Sequence, residues 1–534
     1  MSRRAGELAI VGVLVALGLW LRVVHVGTPS LWWDELVEIR TAEEPLAAML
    51  SEVRTGIVPG AGNAGAMPVD YLLLNRYLAA TTRPAPERLE AYFRAPACAA
   101  SIVTVAALYF VGRRLFGRAT GALAALLLAT SIPAILYAAE ARSYSVLALG
   151  TVLDLAAFAG VVCRPRQAKR WLLYLIVSAL YFLTGVFALL VIGAQYIVLG
   201  VWVFRRRAGR PRAWAVVASG SLLGGIVLGY MLETSYGATY PRNAVVEPLA
   251  VTWASLGFFA NDARVLVAGF LVAIPFTILA GRRRATEPVA WAMGLAFWAL
   301  PVIALAIRAK HYYFHPRHAF FLLPLFHLVV AAGLLELARR LDPLRHLIAR
   351  GSTRRATEGL LAGVLVLVVV LPDVRSFLAT PQAHFARTKT LRDLGPLTRH
   401  VAATVAQLEP GTPYLLLAER DSTANAVLSA YLDWYQLTDR VTLRSPGVPL
   451  DQIEPILRAS GGDPVALQLR PAHGLFFGFQ RLLRLGRPIG EVPGRALHVG
   501  IVGYTTPQTG ADVHRWVNVS LREPAAIAPS PPRP

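Results

Sequence analysis

Cysteine is nearly absent from this chain: Cys98 and Cys163 are the only two in 534 residues, and both lie in or beside apolar stretches. That excludes a disulfide framework and any metal site built on cysteine. Lysine is almost as scarce, confined to Lys169, Lys310 and Lys389, so the cationic character is carried by arginine. Acidic residues number 32 against 53 basic ones, giving a net charge of +21. An excess of that size could serve nucleic-acid binding, but the arginines gather at the ends of apolar spans, where membrane topology accounts for them. Phosphate-binding loops and dinucleotide fingerprints are also missing from any credible strand–helix context, which argues against ATP-driven transport and against a cytosolic nucleotide-sugar domain.

What the chain has in abundance is apolar length. Its hydrophobic fraction is 55% and its mean hydropathy +0.50, values foreign to a soluble globular domain. Measured against the ~20 residues needed to cross a bilayer, the spans fall at roughly 8–26, 92–112, 119–137, 142–162, 171–185, 187–204, 213–231, 262–280, 288–307, 318–338 and 359–377. The first is too long for a removed signal peptide and lacks a small-residue cleavage site. With the N-terminus inside, the inner connections hold Arg113/Arg114/Arg118, Arg164/Arg166/Lys169/Arg170, Arg205 through Arg212, Arg282/Arg283/Arg284 and Arg339 through Arg355, as the positive-inside tendency asks. The stretch 171–204 must then make two short passes, broken near Thr184-Gly185. An odd count sends everything after about residue 377 outside. The expected fold is an α-helical polytopic membrane protein of about eleven transmembrane helices with a small C-terminal α/β domain. Residues 1–377 form the membrane domain, with 27–91 as its first outer loop, and 378–534 the extracytoplasmic domain.

The first outer loop, residues 27–91, is too long to be a mere connector. In the first loop, Leu46, Met49, Leu50 and Val53 follow the spacing of an amphipathic helix, as do Tyr71, Leu74, Tyr77 and Leu78, so both helices are expected to lie on the bilayer surface. Beyond residue 378 the chain turns polar, with a strand-like run from Pro413 to Ala418, a helical pattern from about Ala424 to Gln436, and a Pro-rich tail expected to be disordered.

Chemistry-bearing residues cluster in these outer segments. Asp34 and Glu35 follow Trp32 and Trp33, which should anchor that point at the interface. A carboxylate there could take a proton from an incoming hydroxyl or amine, or simply cap the helix that follows. Arg142, in the short turn Glu140-Ala141-Arg142-Ser143-Tyr144, could clamp a phosphate with its planar fork, or pair with Glu140, or snorkel. Lys310, His311, His315, Arg317 and His318 stand at the outer start of the tenth span, against the positive-inside tendency, and an anionic lipid headgroup would explain them. The histidines form a poor metal set without an acidic neighbour. Asp70 could help hold an acceptor or belong to a surface helix, and His25 and His327 read as packing residues.

The order of these motifs resembles the GT-C class of membrane glycosyltransferases, in the branch of protein O-mannosyltransferases and lipid A aminoarabinose transferases. Leu31-Trp32-Trp33-Asp34-Glu35 is similar to the class's first-loop Asp-Glu motif, and Met67-Pro68-Val69-Asp70-Tyr71-Leu72-Leu73-Leu74 to its His-Pro-Pro-Leu-Tyr-Tyr-like segment. Arg94-Ala95-Pro96-Ala97, Leu115-Phe116-Gly117, Tyr137 through Tyr144 and Arg317 through Pro324 follow in order, covering about residues 8–340. The resemblance implies an inverting transfer of a sugar from a polyprenyl-phosphate donor to an outer-face acceptor. It implies Asp34 as base with Glu35 as its partner, and Arg142 and Arg317 on the donor phosphate; Lys310, by its position, is a further candidate for that phosphate. Asp70, Tyr71, Glu140, Tyr144 and His315 would line the donor and acceptor. No cofactor is required, a divalent metal is compatible, and the expected partners are the lipid donor and membrane lipids rather than nucleic acid. Met67 and Val69 depart from the motif, standing where the class has histidine and proline. The competing readings are a flippase for lipid-linked saccharides, which would favour mid-bilayer polar groups and repeat symmetry, and a membrane-anchored binding protein working through residues 378–534. The arginine bias favours a bacterial inner membrane.

Overall fold

A computed structural model describes residues 3–55, 68–205, 210–233, 248–310, 316–340, 364, 368, 370–381, 384, 394–407, 414–418, 422–444, 497–502 and 516–521. His315, the segment around Met67, most of the 359–369 stretch and the Pro-rich tail lie outside them. The chain is mostly helical and divides into two compact units, one of residues 1–28, 37–83 and 91–384, the other of residues 29–36, 84–90 and 385–534.

In the first unit, α1 (Arg3–Val23) is followed by α2 (Trp33–Glu43), which begins in the second unit, and by α3 (Leu46–Thr55) and α4 (Pro68–Ala80). Then come α5 (Leu89–Phe116), α6 (Arg118–Thr130), α7 (Ile132–Ala138), α8 (Tyr144–Cys163), α9 (Ala168–Thr184), α10 (Ala188–Arg205) and α11 (Arg210–Glu233). The series continues through α12 (Pro248–Phe259), α13 (Arg264–Arg283), α14 (Glu287–Lys310), a 3-10 segment (Pro316–Leu322), α15 (Leu323–Arg340) and α16 (Leu371–Ala379). Among the described residues five helical stretches, Ala5–Val23, Pro86–Phe116, Tyr144–Cys163, Arg264–Arg283 and Pro316–Arg340, are long and apolar enough to cross a membrane, and α6 with α7 makes a sixth. Large apolar side chains such as Trp214 and Trp298 face outward, which in this setting means toward lipid. This is an integral membrane protein.

Two local features show how sequence sets the bundle's shape. The stretch read as a single span at 119–137 is bent by 59° between α6 and α7. Pro133 has no N–H to give the carbonyl of Ala129, four residues back. The fully buried Arg22 takes over instead: its Nη1 donates to Ala129 O at 2.9 Å and its Nη2 to Leu128 O at 3.2 Å, while Nε donates to Ser101 Oγ at 2.7 Å. A cation at the C-terminal end of a helix is also favoured by the helix dipole. The second feature is the contact of α13 with α15. A Cβ on Gly333 would stand 2.2 Å from the carbonyl oxygen of Ala273, so only glycine permits that approach.

One group of buried polar side chains in the bundle is spent on itself. Asp154 on α8 accepts from Ser178 Oγ and from Gln195 Nε2, each at 2.6 Å, and Tyr174 donates to Gln195 Oε1 at 2.7 Å. This ties α8, α9 and α10 together. The break foreseen near Gly185 separates α9 from α10.

In the second unit, α17 (Leu394–Gln407) packs on α18 (Ser422–Trp434), and a four-stranded sheet has the order β2-β1-β3-β4. Here β1 is Tyr414–Ala418, β2 Val441–Arg444, β3 Leu497–Val502 and β4 Trp516–Leu521. The strand β1 runs parallel to β2 and β3, and β4 antiparallel to β3. The unit also takes in two pieces of the first loop. Tyr431 explains how: its hydroxyl accepts from Leu31 N at 2.9 Å and donates to Glu90 Oε1 at 2.9 Å.

Candidate functional site

The helix α2 starts at Trp33 and carries Asp34 and Glu35 in its first turn, where carboxylates oppose the positive end of the helix dipole. Glu35 is fully buried, and its Oε2 accepts from Trp32 N at 3.3 Å. That is the return half of a capping box, in which a residue at the third helical position satisfies the backbone donor of the cap. Asp34 is half-exposed. Both belong to the second unit.

In the first unit, Arg142 is the centre of a charged group. Its Nε lies 3.4 Å from Glu38 Oε2, with the Glu38 side chain 1% exposed and that of Arg142 18%. Its guanidinium carbon stands 5.9 Å from the centre of the Tyr144 ring. Asp70, on the first turn of α4, is buried; burial pushes its carboxyl up to about 7, and the charge of Arg142 pulls the other way. Beside it Tyr71 is buried against Met49 and Val53. The two first-loop helices thus bury their apolar stripes partly on each other, while Leu50 remains exposed. Asn75 secures α4 by donating to Ala42 O at 2.9 Å and Glu44 O at 3.0 Å.

The element bearing Arg317 adjoins this group. Phe320, one turn later in the 3-10 segment, packs 4.8 Å from the Tyr137 ring and 6.4 Å from the Tyr144 ring. Tyr137 and Tyr144 flank the turn that holds Glu140 and Arg142, and Glu140 is buried there. His318 stacks on Phe187 at 5.7 Å. Lys310 is the last residue of α14. The structure therefore brings Arg142, Asp70, Glu140, Tyr144 and the Arg317 segment together within one unit. Asp34 and Glu35 lie in the other unit.

Sequence reasoning missed Glu38. Its signal was present: Asp34 and Glu38 stand four apart, neighbours on one helical face. The residue had no motif to flag it, and its partner lies more than a hundred positions on. No group of three or more potential metal ligands from His, Cys, Asp and Glu occurs among the described residues. A separate small cavity of about 20 Å³ is lined by Ser131, Asn261, Asp373 and His327, and neither ring nitrogen of His327 meets a protein partner. That is room for about one water.

Residues 87–228 match the family described as dolichyl-phosphate-mannose-protein mannosyltransferase. This stretch runs from α5 to α11 and includes the Glu140–Tyr144 turn. Among curated protein sequences, none matches the chain. Of solved structures, ArnT from Cupriavidus metallidurans in the apo state is similar at 15% identity and a TM-score of 0.49, over 94% of this chain and 93% of that one. The same protein bound to undecaprenyl phosphate is similar at 15% identity and 0.48, over 92% and 93%. The archaeal oligosaccharyltransferase AglB from Archaeoglobus fulgidus, in complex with an inhibitory peptide and a dolichol phosphate, is similar at 12% identity and 0.48, over 94% and 70%.

Proposed function

We propose that this protein moves a sugar from a polyprenyl-phosphate donor to an acceptor at the outer face of a bacterial inner membrane, with inversion at the anomeric carbon. The observation that carries the reading is Arg142, clasped by the buried Glu38 in the turn before α8 within the family-matched stretch, with the Arg317 segment packed alongside. A guanidinium so braced is preorganised for phosphate. Arg142, Arg317 and Lys310 hold the donor phosphate. Asp34, in the first turn of α2, takes the acceptor's proton. The acceptor oxygen or nitrogen then bonds to the anomeric carbon as the carbon–oxygen bond to phosphate breaks, and polyprenyl phosphate leaves with its charge stabilised by the arginines. Glu35 holds the start of α2 so that Asp34 is presented. Asp70, Tyr71, Glu140, Tyr144 and His315 line the sugar and acceptor. The reaction as proposed requires no cofactor, and a divalent metal is compatible with it.

The flippase reading has less support. The mid-bundle carboxylate it would use, Asp154, has both oxygens engaged by Ser178 and Gln195, which fits a packing role.

The test is a purified, reconstituted protein given a panel of radiolabelled polyprenyl-phosphate sugars together with envelope extract as acceptor. Label should leave the lipid fraction with release of polyprenyl phosphate. Translocation without cleavage would instead establish the flippase. The arrangement of eleven crossings, with the arginine-rich end cytoplasmic, predicts that single cysteines at positions 34, 317 and 414 label in intact cells, in a background lacking Cys98 and Cys163. A cysteine at 283 should label only after lysis. Protection of position 414 in intact cells would overturn the arrangement.

A further inference from the structure

At the arginine-rich end of the first unit, the few carboxylates are already occupied. Glu7 on α1 pairs with Arg113, and with Arg118 at 3.5 Å. Glu336 on α15, 0% exposed, takes Arg283 at 3.2 Å, Arg339 at 3.6 Å and Arg340 at 3.2 Å. Glu287 takes Arg282 at 2.9 Å. Arg114 and Arg284 are exposed and have no acidic partner among the described residues. These groups form one continuous surface. Thr286 Oγ1 donates to Leu115 O at 3.3 Å, joining the α13–α14 turn to the end of α5. The Arg284 guanidinium lies over Gly117, whose φ is +111°; a Cβ there would stand 2.7 Å from Nη2. That position needs glycine for its backbone. Directly beside the rim, Leu8 and Trp291 are exposed, and Trp291 Nε1 donates to Glu287 Oε1 at 3.3 Å. A tryptophan so placed marks the membrane interface.

We infer that this surface is a binding site for the headgroup of an anionic phospholipid, whose acyl chains run along the apolar face of α1 and α14. Ordinary topology signals do not account for its construction. The turn at 164–170 carries Arg164, Arg166, Lys169 and Arg170 with no acidic brace among the described residues. At the proposed site, the buried Glu336 and the partly buried Glu7 and Glu287 fix several guanidinium groups before a ligand arrives, which cuts the ordering cost of binding. The surplus charge, held over Arg114, Arg118, Arg283 and Arg284, suits a phosphodiester, and basic pockets between helices at a membrane face are known to take such headgroups. The adjoining exposed apolar surface favours a lipid over a free anion.

The test uses the full chain in detergent. Dioleoylphosphatidylglycerol should raise the melting temperature saturably, and native mass spectrometry should retain it; dioleoylphosphatidylcholine should do neither. Inorganic phosphate should not reproduce the shift, and if it did, the lipid assignment would fall. The double variant Arg114→Gln/Arg284→Gln touches no ion pair, so it should melt like wild type without lipid and bind phosphatidylglycerol about tenfold more weakly or worse. The double variant Arg166→Gln/Lys169→Gln, equal in charge lost, should bind normally. Equal weakening in both variants would mean bulk attraction rather than a site. Should the first variant fail to fold, wild-type retention of the two lipids decides alone: equal retention overturns the proposal.

Discussion

Replacing Asp34 by asparagine is expected to lower sugar transfer by ~10²–10⁴-fold, the usual contribution of a positioned general base, while leaving the fold and donor binding intact. Asparagine keeps the shape of the side chain and its place in the first turn of α2, where the helix dipole tolerates either group. It cannot take the acceptor's proton. Glu35 is occupied at the Trp32 amide, so it is poorly placed to substitute. The check is single-turnover transfer alongside equilibrium binding of polyprenyl phosphate. Turnover near the wild-type rate would move the base elsewhere, with Glu38 and Asp70 next in line.

The second large effect is expected at the Glu38–Arg142 pair. Arg142→Ala takes the cation from a carboxylate that is 1% exposed, and breaking a buried pair in this way costs up to ~3–5 kcal/mol. Donor binding should weaken at the same time, because a charge-assisted contact to phosphate is lost. Two further variants separate these consequences. Glu38→Gln removes the brace but keeps the fork, so stability should fall less and donor affinity should fall through lost positioning. Arg142→Lys keeps the charge near Glu38 but loses the planar fork, so stability should largely survive while donor binding drops. Asp70 is a further reporter. Its carboxyl is already pushed up to about 7 by burial, against the pull of Arg142. Its raised value makes the ionised form a cost in the folded state, a cost that grows as pH climbs from the ordinary carboxylate range toward 7. Removing Arg142 should deepen that cost, so the melting temperature of Arg142→Ala should fall more steeply between pH 5 and pH 8 than that of wild type. Parallel pH profiles would mean that Arg142 does not act on Asp70.

The sequence by itself determined most of what depends on neighbours along the chain. Hydropathy placed α1, α5, α8, α13 and the 316–340 stretch, because crossing a bilayer demands a minimum apolar length. Apolar spacing placed α3 and α4, and the aromatic-acidic run at 31–35 marked the start of α2. The motif order singled out Arg142 and the Arg317 segment. Only the tertiary structure decided which side chain holds Arg142, because Glu38 reaches it across the first loop and two spans. The same is true of the 59° bend. Pro133 announces that a hydrogen bond is missing, yet only the folded bundle brings Arg22 to the carbonyl left open. Likewise Tyr431, in the far C-terminal region, fixes residues 31 and 90 of the first loop, so the second unit takes in pieces of that loop. Periodicity and hydropathy are properties of short windows. Burial of a charge is settled by partners hundreds of residues away, since a charge can leave water only where the fold supplies its counterpart.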